Sequence, residues 1–278
     1  MSNQRGTLFV VATPIGNMQD ITRRAVEVLG SVDLVAAEDT RHTGRLLDAL
    51  NIRTRLLSMH EHNERERVAQ LTGLLLEGRR IALVSDAGTP LISDPGYPLV
   101  ARCRELGLDV VPVPGPSALV AALSVSGLPT DRFLFEGFLP RTSSKRIARL
   151  EALADFTATM IFYESSHRIL ETLQDMRRVF GGERLVVMAR ELTKQYETVI
   201  SQSLDTLIAR VTEDANQQRG EFVVMVAGAE SASGLDAEAR RIMDAFAGEI
   251  SPNRLAKLVA KLFGGNKRDY YQYLLERK

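Results

Sequence analysis

The segment "EDTRH", Glu38 to His42, follows the apolar run "DLVAA" and places four ionisable side chains within five residues. A carboxylate of Glu38 or Asp39, or the imidazole of His42, could accept a proton, and the Arg41 guanidinium could hold a phosphate. A second interpretation needs no catalysis: Asp39 or Thr40 caps the following helix, and Arg41 pairs with a neighbour. The residue types alone leave both interpretations open.

A second unusual segment is "VSDAGTPLISDPG", Val84 to Gly96, which holds two aspartates, two glycines and two prolines directly after the apolar run "IAL". Three other loops of marked composition also follow apolar runs: "TPIGN" at 13–17, "EDTRHT" at 38–43 and "PGPSA" at 114–118. Ligands of open α/β sheets bind beyond the carboxyl ends of the strands. We therefore predict one ligand site shared by the four loops. The alternative is that each loop is only a tight turn between a strand and a helix.

The elements that must position these loops alternate between strand and helix. Four apolar runs of the first half predict strands: "TLFVVATP", "DLVAAE", "RIALVSD" and "DVVPVPG". These runs are continuously apolar, which is typical of a parallel sheet covered on both faces. Runs of helical periodicity separate them, so residues 1–127 are predicted to form one α/β domain.

A second α/β domain is predicted for residues 128–229, after the connection "GLPTDRF". Its five predicted strands are "FLFEGF", "ATMIFYE", "RLVVMARE", "YETVISQ" and "EFVVMVAG". Only a short segment separates the third strand from the fourth, which indicates a hairpin and hence a mixed sheet. The segment "AESASGLD", 229–236, predicts a flexible link. Residues 236–278 are predicted to form a small, all-helical C-terminal appendage.

Composition narrows the functional class. The chain has 278 residues, is 45% hydrophobic, and carries 35 basic and 35 acidic residues, so binding to nucleic acid must depend on local patches. A single cysteine excludes an internal disulfide, and no apolar run approaches the length of a membrane span. We expect a cytoplasmic protein without a membrane or DNA partner. The sequence contains neither a P-loop nor a G-x-G-x-x-G motif after its first strand, which argues against the usual nucleotide folds.

Six motifs occur in a fixed order: "VATPIGN", "AAEDTRHT", "LVSDAGTPLISDPG", "VPGPSA", "FYESSHR" and "ARELTKQYET". In these six motifs and their order, the chain resembles the ribosomal RNA small subunit methyltransferase I family, which is part of the tetrapyrrole methylase superfamily. The resemblance implies two α/β domains with a cleft between them for S-adenosylmethionine (SAM), and no metal. It also implies methylation of the ribose 2′-oxygen of a cytidine in 16S rRNA. The expected substrate is that RNA or the assembled 30S subunit, and the expected state is a homodimer.

The resemblance also assigns residues to the cofactor and to catalysis. The expected cofactor contacts are Pro14, Ser85, Asp86, Ala87, Ser117, Ala118 and Tyr163. The expected catalytic candidates are Glu38, Asp39, Arg41, His42 and Glu164, with Arg190, Glu191 and Lys194 as further possibilities for the base or for charge stabilisation. A ribose hydroxyl is a poor nucleophile at neutral pH, which is why a base or a charge-stabilising group is sought.

Two basic segments predict RNA contact. The first, "RTSSKRIAR" at 141–149, has no acidic residue, and the second, 252–278, has seven basic residues against two acidic ones. The expected RNA-binding residues are Arg141, Lys145, Arg146, Lys257, Lys261, Lys267 and Arg268. Three tyrosines at 270, 271 and 273 could stack on bases. The alternative is a solvated face with the tyrosines packed inward. Two rival functions stay open: methylation of a tetrapyrrole, and RNA binding without catalysis.

Overall fold

The computed structural model describes residues 5–60, 63–229 and 237–276, which form two α/β layers and a separate helical unit. The strands of the first layer are β1 (Thr7–Val11), β2 (Leu34–Ala37), β3 (Leu56–Ser58), β4 (Ile81–Val84) and β5 (Asp109–Val113). The intervening helices are α1 (Arg23–Ser31), α2 (Thr40–Ala49), α3 (Glu64–Leu76) and α4 (Tyr97–Glu105), and α5 (Ala118–Ser126) follows β5. The sequence analysis missed β3, a short and only half-buried strand, and did not assign α2.

The first sheet is entirely parallel and has the order β3-β2-β4-β1-β5. Successive residues of a strand point to opposite faces. On β2, Leu34 and Ala36 join the core beneath α3 and α4, whereas Val35 and Ala37 join the core beneath α1 and α2. Burial on both faces explains why these strands are continuously apolar, and the predicted class of sheet is confirmed.

The second layer contains β6 (Phe133–Phe138), β7 (Thr159–Ser165), β8 (Leu185–Arg190), β9 (Thr198–Ser203) and β10 (Glu221–Val226). Its helices are α6 (Ser143–Glu151), α7 (Ile169–Phe180) and α8 (Leu204–Glu213). The sheet order is β6-β7-β10-β8-β9; β6 and β7 are parallel, and the other pairs are antiparallel. The predicted hairpin is the β8–β9 pair, so the prediction of a mixed sheet is confirmed.

Helix α5 joins the two layers. The helix ends at Gly127, whose φ of 72° is in the left-handed region, and the chain then crosses to β6. Leu119 and Leu123 of α5 pack on the second sheet, against Ile161 of β7 and Val187 of β8. The last helix before the predicted boundary therefore covers one face of the second sheet, and the other face is covered by α6, α7 and α8.

The C-terminal unit consists of α9 (Ala237–Ala245), α10 (Pro252–Phe263) and α11 (Lys267–Glu276). Its small core contains only residues of these helices, among them Met243, Leu255, Val259 and Leu274. The predicted link at 229–236 lies, apart from its first residue, outside the described residues, as do residues 277–278. In the described part of the chain, no helix is long and apolar enough to cross a membrane.

Candidate active site

Strand order brings the four unusual loops together. They follow β2, β4, β1 and β5, which are four adjacent strands of a parallel sheet, so all four loops leave the same edge. Thr13 and Gly88 exchange two backbone hydrogen bonds of 2.9 and 3.1 Å. The Thr89 hydroxyl donates to the Pro116 carbonyl at 3.0 Å, and Asp86 Oδ1 accepts from the Asp39 backbone N–H at 3.0 Å. The 85–96 loop is thus tied to each of the other three loops.

A cavity of about 440 Å³ lies between this edge and the second sheet. The first layer contributes Ile15, Glu38, Asp86, Ala87, Gly88, Thr89, Ile92, Ser93, Asp94, Ser117 and Ala118. The second layer contributes Phe138, Tyr163, Glu164, Ser165, Ser166, Ala189, Leu192, Lys194, Gly220, Glu221, Phe222 and Val223. Seven residues predicted to bind the cofactor or take part in catalysis therefore share one cavity with Glu38: Asp86, Ala87, Ser117, Ala118, Tyr163, Glu164 and Lys194.

Two predicted cofactor residues lie beside the cavity rather than on its wall. Pro14 directly precedes the wall residue Ile15. Ser85 is buried, and its hydroxyl donates to the Ala87 carbonyl at 3.3 Å. Pro14 and Ser85 thus lie next to wall residues, and their direct contact with the cofactor stays a prediction.

Three carboxyl groups of the first layer, those of Glu38, Asp86 and Asp94, line the cavity. The sequence analysis did not single out Asp94, although it lies in the quoted 84–96 segment. Burial, together with the negative charges of Glu38 and Asp86, raises the pKa of Asp94 to about 6, against the opposing effect of a hydrogen bond with Ser85. A carboxyl group with a pKa near neutrality can both accept and release a proton at physiological pH.

The backbone next to Asp94 is strained. Leu91 and Ser93 have φ angles of 75° and 69°, in the left-handed region that non-glycine residues rarely occupy. Each such residue costs on the order of 1–3 kcal/mol, and such strain concentrates at functional sites. Gly88 has a φ of 80°, and a Cβ at this position would lie 3.2 Å from the Ile15 side chain. The loop that carries Asp94 into the cavity thus combines three positive φ angles within six residues, at Gly88, Leu91 and Ser93.

The loop between β8 and β9 closes the cavity from the second layer. Thr193, at a φ of 65°, accepts a hydrogen bond on its hydroxyl from the Asn17 backbone N–H at 3.0 Å. Lys194 donates to Glu191 at 2.8 Å and to Glu221 at 2.9 Å. These bonds hold the ammonium of Lys194 in a network at the cavity wall and connect the two layers.

Tyr163 links β7 to the start of α5. Its hydroxyl accepts a hydrogen bond from the Leu119 backbone N–H at 3.1 Å. Burial raises the pKa of Tyr163, so its phenol is neutral at physiological pH. The ring makes edge contacts with Phe135 and Phe138, with centroid distances of 4.9 and 5.7 Å. Tyr163 is therefore a fixed part of the wall.

The rest of the "EDTRH" segment adopts the non-catalytic arrangement. Asp39 is the N-cap of α2, accepting from the Arg41 backbone N–H at 2.8 Å, and its second oxygen pairs with the Arg41 guanidinium at 2.7 Å. This pairing lowers the pKa of Asp39 far below its usual range. Asp39, Arg41 and His42 are not on the cavity wall, and Arg41 and His42 are exposed. Of the four candidates in this segment, the structure brings only Glu38 into the cavity.

Glu164 reaches the cavity wall but is occupied by structural hydrogen bonds. Its carboxylate is buried, accepting from the Ser165 backbone N–H at 2.8 Å and from the Thr172 hydroxyl at 2.7 Å. Arg168 lies 3.3 Å away and also donates to two carbonyls, of Leu139 and Pro140. These contacts make Glu164 an anchor for the start of α7, and its role as a proton acceptor stays a prediction.

Six of the seven residues predicted to bind RNA are exposed, and Arg146 is the exception. Arg146 is 1% exposed and pairs with Asp175 at 2.6 Å, so it is not accessible to RNA and its prediction is corrected. Arg149 pairs with Glu136. Arg141 and Lys145 are exposed, as are the four predicted RNA-binding residues of the C-terminal unit: Lys257, Lys261, Lys267 and Arg268.

The tyrosines of α11 largely pack inward. Tyr270 is 3% exposed and donates to the Gly264 carbonyl at 2.8 Å, and Tyr273 bonds to Asp244 at 3.2 Å. Tyr271 is exposed. The alternative of an inward-facing aromatic set therefore describes two of the three tyrosines. Within residues 5–60, 63–229 and 237–276, no cluster of three or more histidine, cysteine or carboxylate side chains could hold a metal ion.

Comparisons with known proteins agree with this architecture. The family model described as tetrapyrrole (corrin/porphyrin) methylases matches residues 7–208, and the one described as the RsmI C-terminal HTH domain matches residues 233–278. Solved structures of similar fold include cobalt precorrin-4 methyltransferase, with a TM-score of 0.58 and 17% identity over 80% of this chain and 94% of that one. Uroporphyrin-III-C-methyltransferase from Thermus thermophilus gives a TM-score of 0.55 and 21% identity with the same coverage.

Relatives named ribosomal RNA small subunit methyltransferase I are much closer in sequence. The one from Pseudomonas aeruginosa is 53% identical over 276 residues, which is 98% of either chain. The one from Escherichia coli O157:H7 is 50% identical and covers 99% of this chain and 97% of its own. The predicted resemblance and the predicted fold class are confirmed. The chain belongs to the tetrapyrrole methylase family and, within it, to the ribosomal RNA small subunit methyltransferase I group.

Proposed function

We propose that this protein is a SAM-dependent methyltransferase that methylates the ribose 2′-hydroxyl of a cytidine in 16S rRNA. The observation that supports this most strongly is the cavity between the two layers, where three carboxyl groups converge at the sheet edge formed by the four loops. Its relatives of about 50% identity are named for methylation of small subunit rRNA. The match to the tetrapyrrole methylase family supports SAM as the methyl donor.

The residues of the cavity fit this cofactor. SAM supplies an electrophilic methyl group on a positively charged sulfur. The carboxyl groups of Asp86, Glu38 and Asp94 give the cavity a negative potential that favours a cation. Ile15, Ile92, Ala118, Leu192 and Val223 provide apolar wall for uncharged parts of a ligand. We propose that Asp86, Ala87, Ser117, Ala118 and Tyr163 hold SAM.

We propose Asp94 as the base that receives the proton of the 2′-hydroxyl. A general base works best when its pKa lies near the operating pH, and burial brings Asp94 to about 6. Asp94 also stands in the cavity on a strained and therefore fixed loop. Glu38 is the remaining candidate of the "EDTRH" segment, and it acts here on Asp94 through its charge. Arg41, exposed beside the cavity loops, is kept as a candidate for phosphate contact.

The proposed partner is 16S rRNA, free or within the 30S subunit, which makes the cytoplasm the proposed compartment. Arg141 and Lys145 give exposed positive charge at the start of α6, close in sequence to the cavity residue Phe138. Lys257, Lys261, Lys267 and Arg268 do the same on α10 and α11. We also propose a homodimer, for which the exposed apolar side chains of Val120 and Val125 on α5 offer a surface.

Methyl transfer from labelled SAM to 30S particles that lack the modification tests the proposal. We expect stoichiometric incorporation into 16S rRNA at a ribose, detected by resistance of one phosphodiester bond to alkaline hydrolysis. Naked 16S rRNA and a porphyrinogen are the comparison substrates. Incorporation into the porphyrinogen alone would indicate a tetrapyrrole methylase. RNA binding without incorporation would indicate a non-catalytic assembly factor.

Deletion of residues 230–278 tests the RNA-binding part separately. If about three basic residues of the helical unit meet phosphates, the slope of log affinity against log salt should become shallower by roughly two to three units. The SAM affinity should not change, because none of the described residues of this unit, 237–276, lines the cavity. Identical slopes for the two folded proteins would mean that the helical unit does not grip RNA.

A further inference from the structure

An irregularity in strand β6 brings two aromatic rings to one face. Alternation along a regular strand would place Phe135 and Phe138, three residues apart, on opposite faces. The pairing of β6 with β7 shifts register between Phe135 and Gly137, and Gly137 has a φ of 68°. The extra residue of this bulge re-aims the chain, so that Phe135 and Phe138 both contact the ring of Tyr163.

The two rings have different surroundings. Phe135 is packed into the core between the layers, whereas Phe138 lines the cavity and is 57% exposed. Phe138 makes a T-shaped contact with Tyr163, with an interplanar angle of 66°. The Gly137 Cα faces the Asp94 loop so closely that a Cβ there would lie 2.9 Å from Ser93 Oγ. An exposed, supported aromatic ring thus stands at the mouth of the cavity, beside the loop of the proposed base.

Charge next to this ring suits a polyanion. Arg141 follows Phe138 by three residues, a separation of roughly 11 Å at most between the Cα atoms. Arg141 and Lys145 are exposed, whereas the neighbouring Arg146 and Arg149 are neutralised by Asp175 and Glu136. An exposed aromatic ring followed along the chain by positive charges is a combination that suits single-stranded RNA, in which bases stack on aromatic rings and phosphates pair with cations.

We propose that the ring of Phe138 is the stacking platform for a base of the RNA substrate, at or beside the nucleotide that enters the cavity. The proposal rests on the proposed function for the identity of the RNA. Phe138 is a positioning residue: it fixes the base so that the attached ribose is presented to the cavity. Stacking is tolerant of sequence, because every base has an aromatic face. The selection of one nucleotide is then left to the cavity and to the phosphate contacts.

Equilibrium binding of full-length variants to 30S particles across a salt series tests this. Phe138→Ala should weaken binding about tenfold at every salt concentration, with an unchanged slope, because a stacked ring releases no counterions. The double variant Arg141→Ala/Lys145→Ala should instead make the slope shallower by roughly one to two units. Phe133→Ala is the matched control, since Phe133 is a 44% exposed phenylalanine at the other end of the same strand. It should bind like the wild type, and Phe138→Trp should restore most of the affinity.

The SAM affinity and the association state complete the test. Phe138→Ala should bind SAM within about twofold of the wild type by calorimetry and sediment like it. Equal RNA affinity of the Phe138→Ala and Phe133→Ala variants would overturn the proposal. A parallel loss of SAM affinity would assign the ring to the cofactor, and altered sedimentation would assign it to a contact between copies. If the wild type binds 30S particles but transfers no methyl group, the proposed function fails while the stacking result still decides the role of Phe138.

Discussion

Asp39 and Asp94 are two aspartates on loops at the same edge of the first sheet, and their surroundings give them opposite chemistry. Asp39 caps α2 and pairs with Arg41, which lowers its pKa far below the usual range. Asp94 lies inside the cavity, where burial and the neighbouring carboxylates raise its pKa to about 6. One carboxylate is stabilised as an anion at every physiological pH, and the other is poised to take up a proton.

The comparison teaches that position at a strand end does not make a carboxylate a base. Both residues lie in loops that follow apolar strands. They differ in two respects: Asp39 has the Arg41 guanidinium as a partner, and Asp94 is more strongly shielded from water. An anion that is already paired gains little from a proton, whereas a partly desolvated one beside other anions gains much.

The largest effect that we predict is on methyl transfer. Asp94→Asn should lower single-turnover transfer, measured at saturating SAM and pH 7.5, about a hundredfold or more, the usual size of a general-base contribution. Asp39→Asn should stay within about threefold of the wild type, because the amide can still cap α2. If both variants keep wild-type rates, or if Asp39→Asn is the slower one, the assignment of the base is wrong.

A smaller effect is predicted for the neighbour of Asp94. Glu38→Gln removes one of the negative charges that raise the pKa of Asp94. The pH at which the transfer rate falls to half its maximum on the acid side, measured at saturating SAM, should therefore move to lower pH. Near pH 5 the variant should keep a fraction of its own maximal rate that is several times the fraction kept by the wild type. Burial is the larger cause and is unchanged, so this midpoint should remain above the range of an ordinary aspartate. A midpoint that moves to higher pH would contradict this coupling.

The stability of the fold should change in the opposite sense to its activity. A carboxyl group with a raised folded-state pKa stabilises the fold below its unfolded-state pKa of about 4, and loses this contribution as the pH rises through the folded value of about 6. Asparagine mimics the protonated form at every pH. At pH 8, Asp94→Asn should therefore be about 1 kcal/mol more stable than the wild type, after allowance for partial exposure. Denaturant unfolding at pH 4 is the control, where the difference should vanish.

The smallest effect is predicted for the cap. Asp39→Ala removes the acceptor for the Arg41 backbone N–H, and it should lower the thermal midpoint by a few degrees while transfer remains nearly normal. Because the pKa of Asp39 is lowered, its contribution is present at neutral pH and is lost only in strong acid. Differential scanning between pH 5 and pH 8 should show the same decrement throughout. A decrement that appears only at one end of this range would contradict the cap.

The fold was largely predictable from the sequence because the local pattern of apolar and polar residues in most elements agrees with the helix or strand that they form. Apolar runs identified nine of the ten strands that the described residues form, and loop composition singled out the four loops that contribute to the cavity. The missed strand β3 is three residues long and half-buried, so it carries little periodic signal. The burial of Arg146 could not be predicted, because nothing in the local sequence reveals that this basic residue packs against Asp175 of another helix.

The site was predicted less well than the fold because its chemistry depends on contacts between distant segments. The raised pKa of Asp94 needs Glu38 and Asp86, which follow different strands. The role of Phe138 needs a bulge and a ring from β7. Glu164 has a side chain that could act as a base, but it accepts a hydrogen bond from Thr172 of α7 and pairs with Arg168, the N-cap residue of that helix. A signal that could have singled out Asp94 was its place among glycines and prolines that a simple turn would not need.

The pH dependence of single-turnover methyl transfer to 30S particles, for the wild type beside Asp94→Asn, tests the central claim most directly. We expect the wild-type rate to rise with pH, reach half its maximum near pH 6 and then level off, as deprotonation of Asp94 requires. The residual rate of Asp94→Asn should lack this limb. A variant that keeps both the wild-type rate and the wild-type limb would contradict the claim that Asp94 takes the proton.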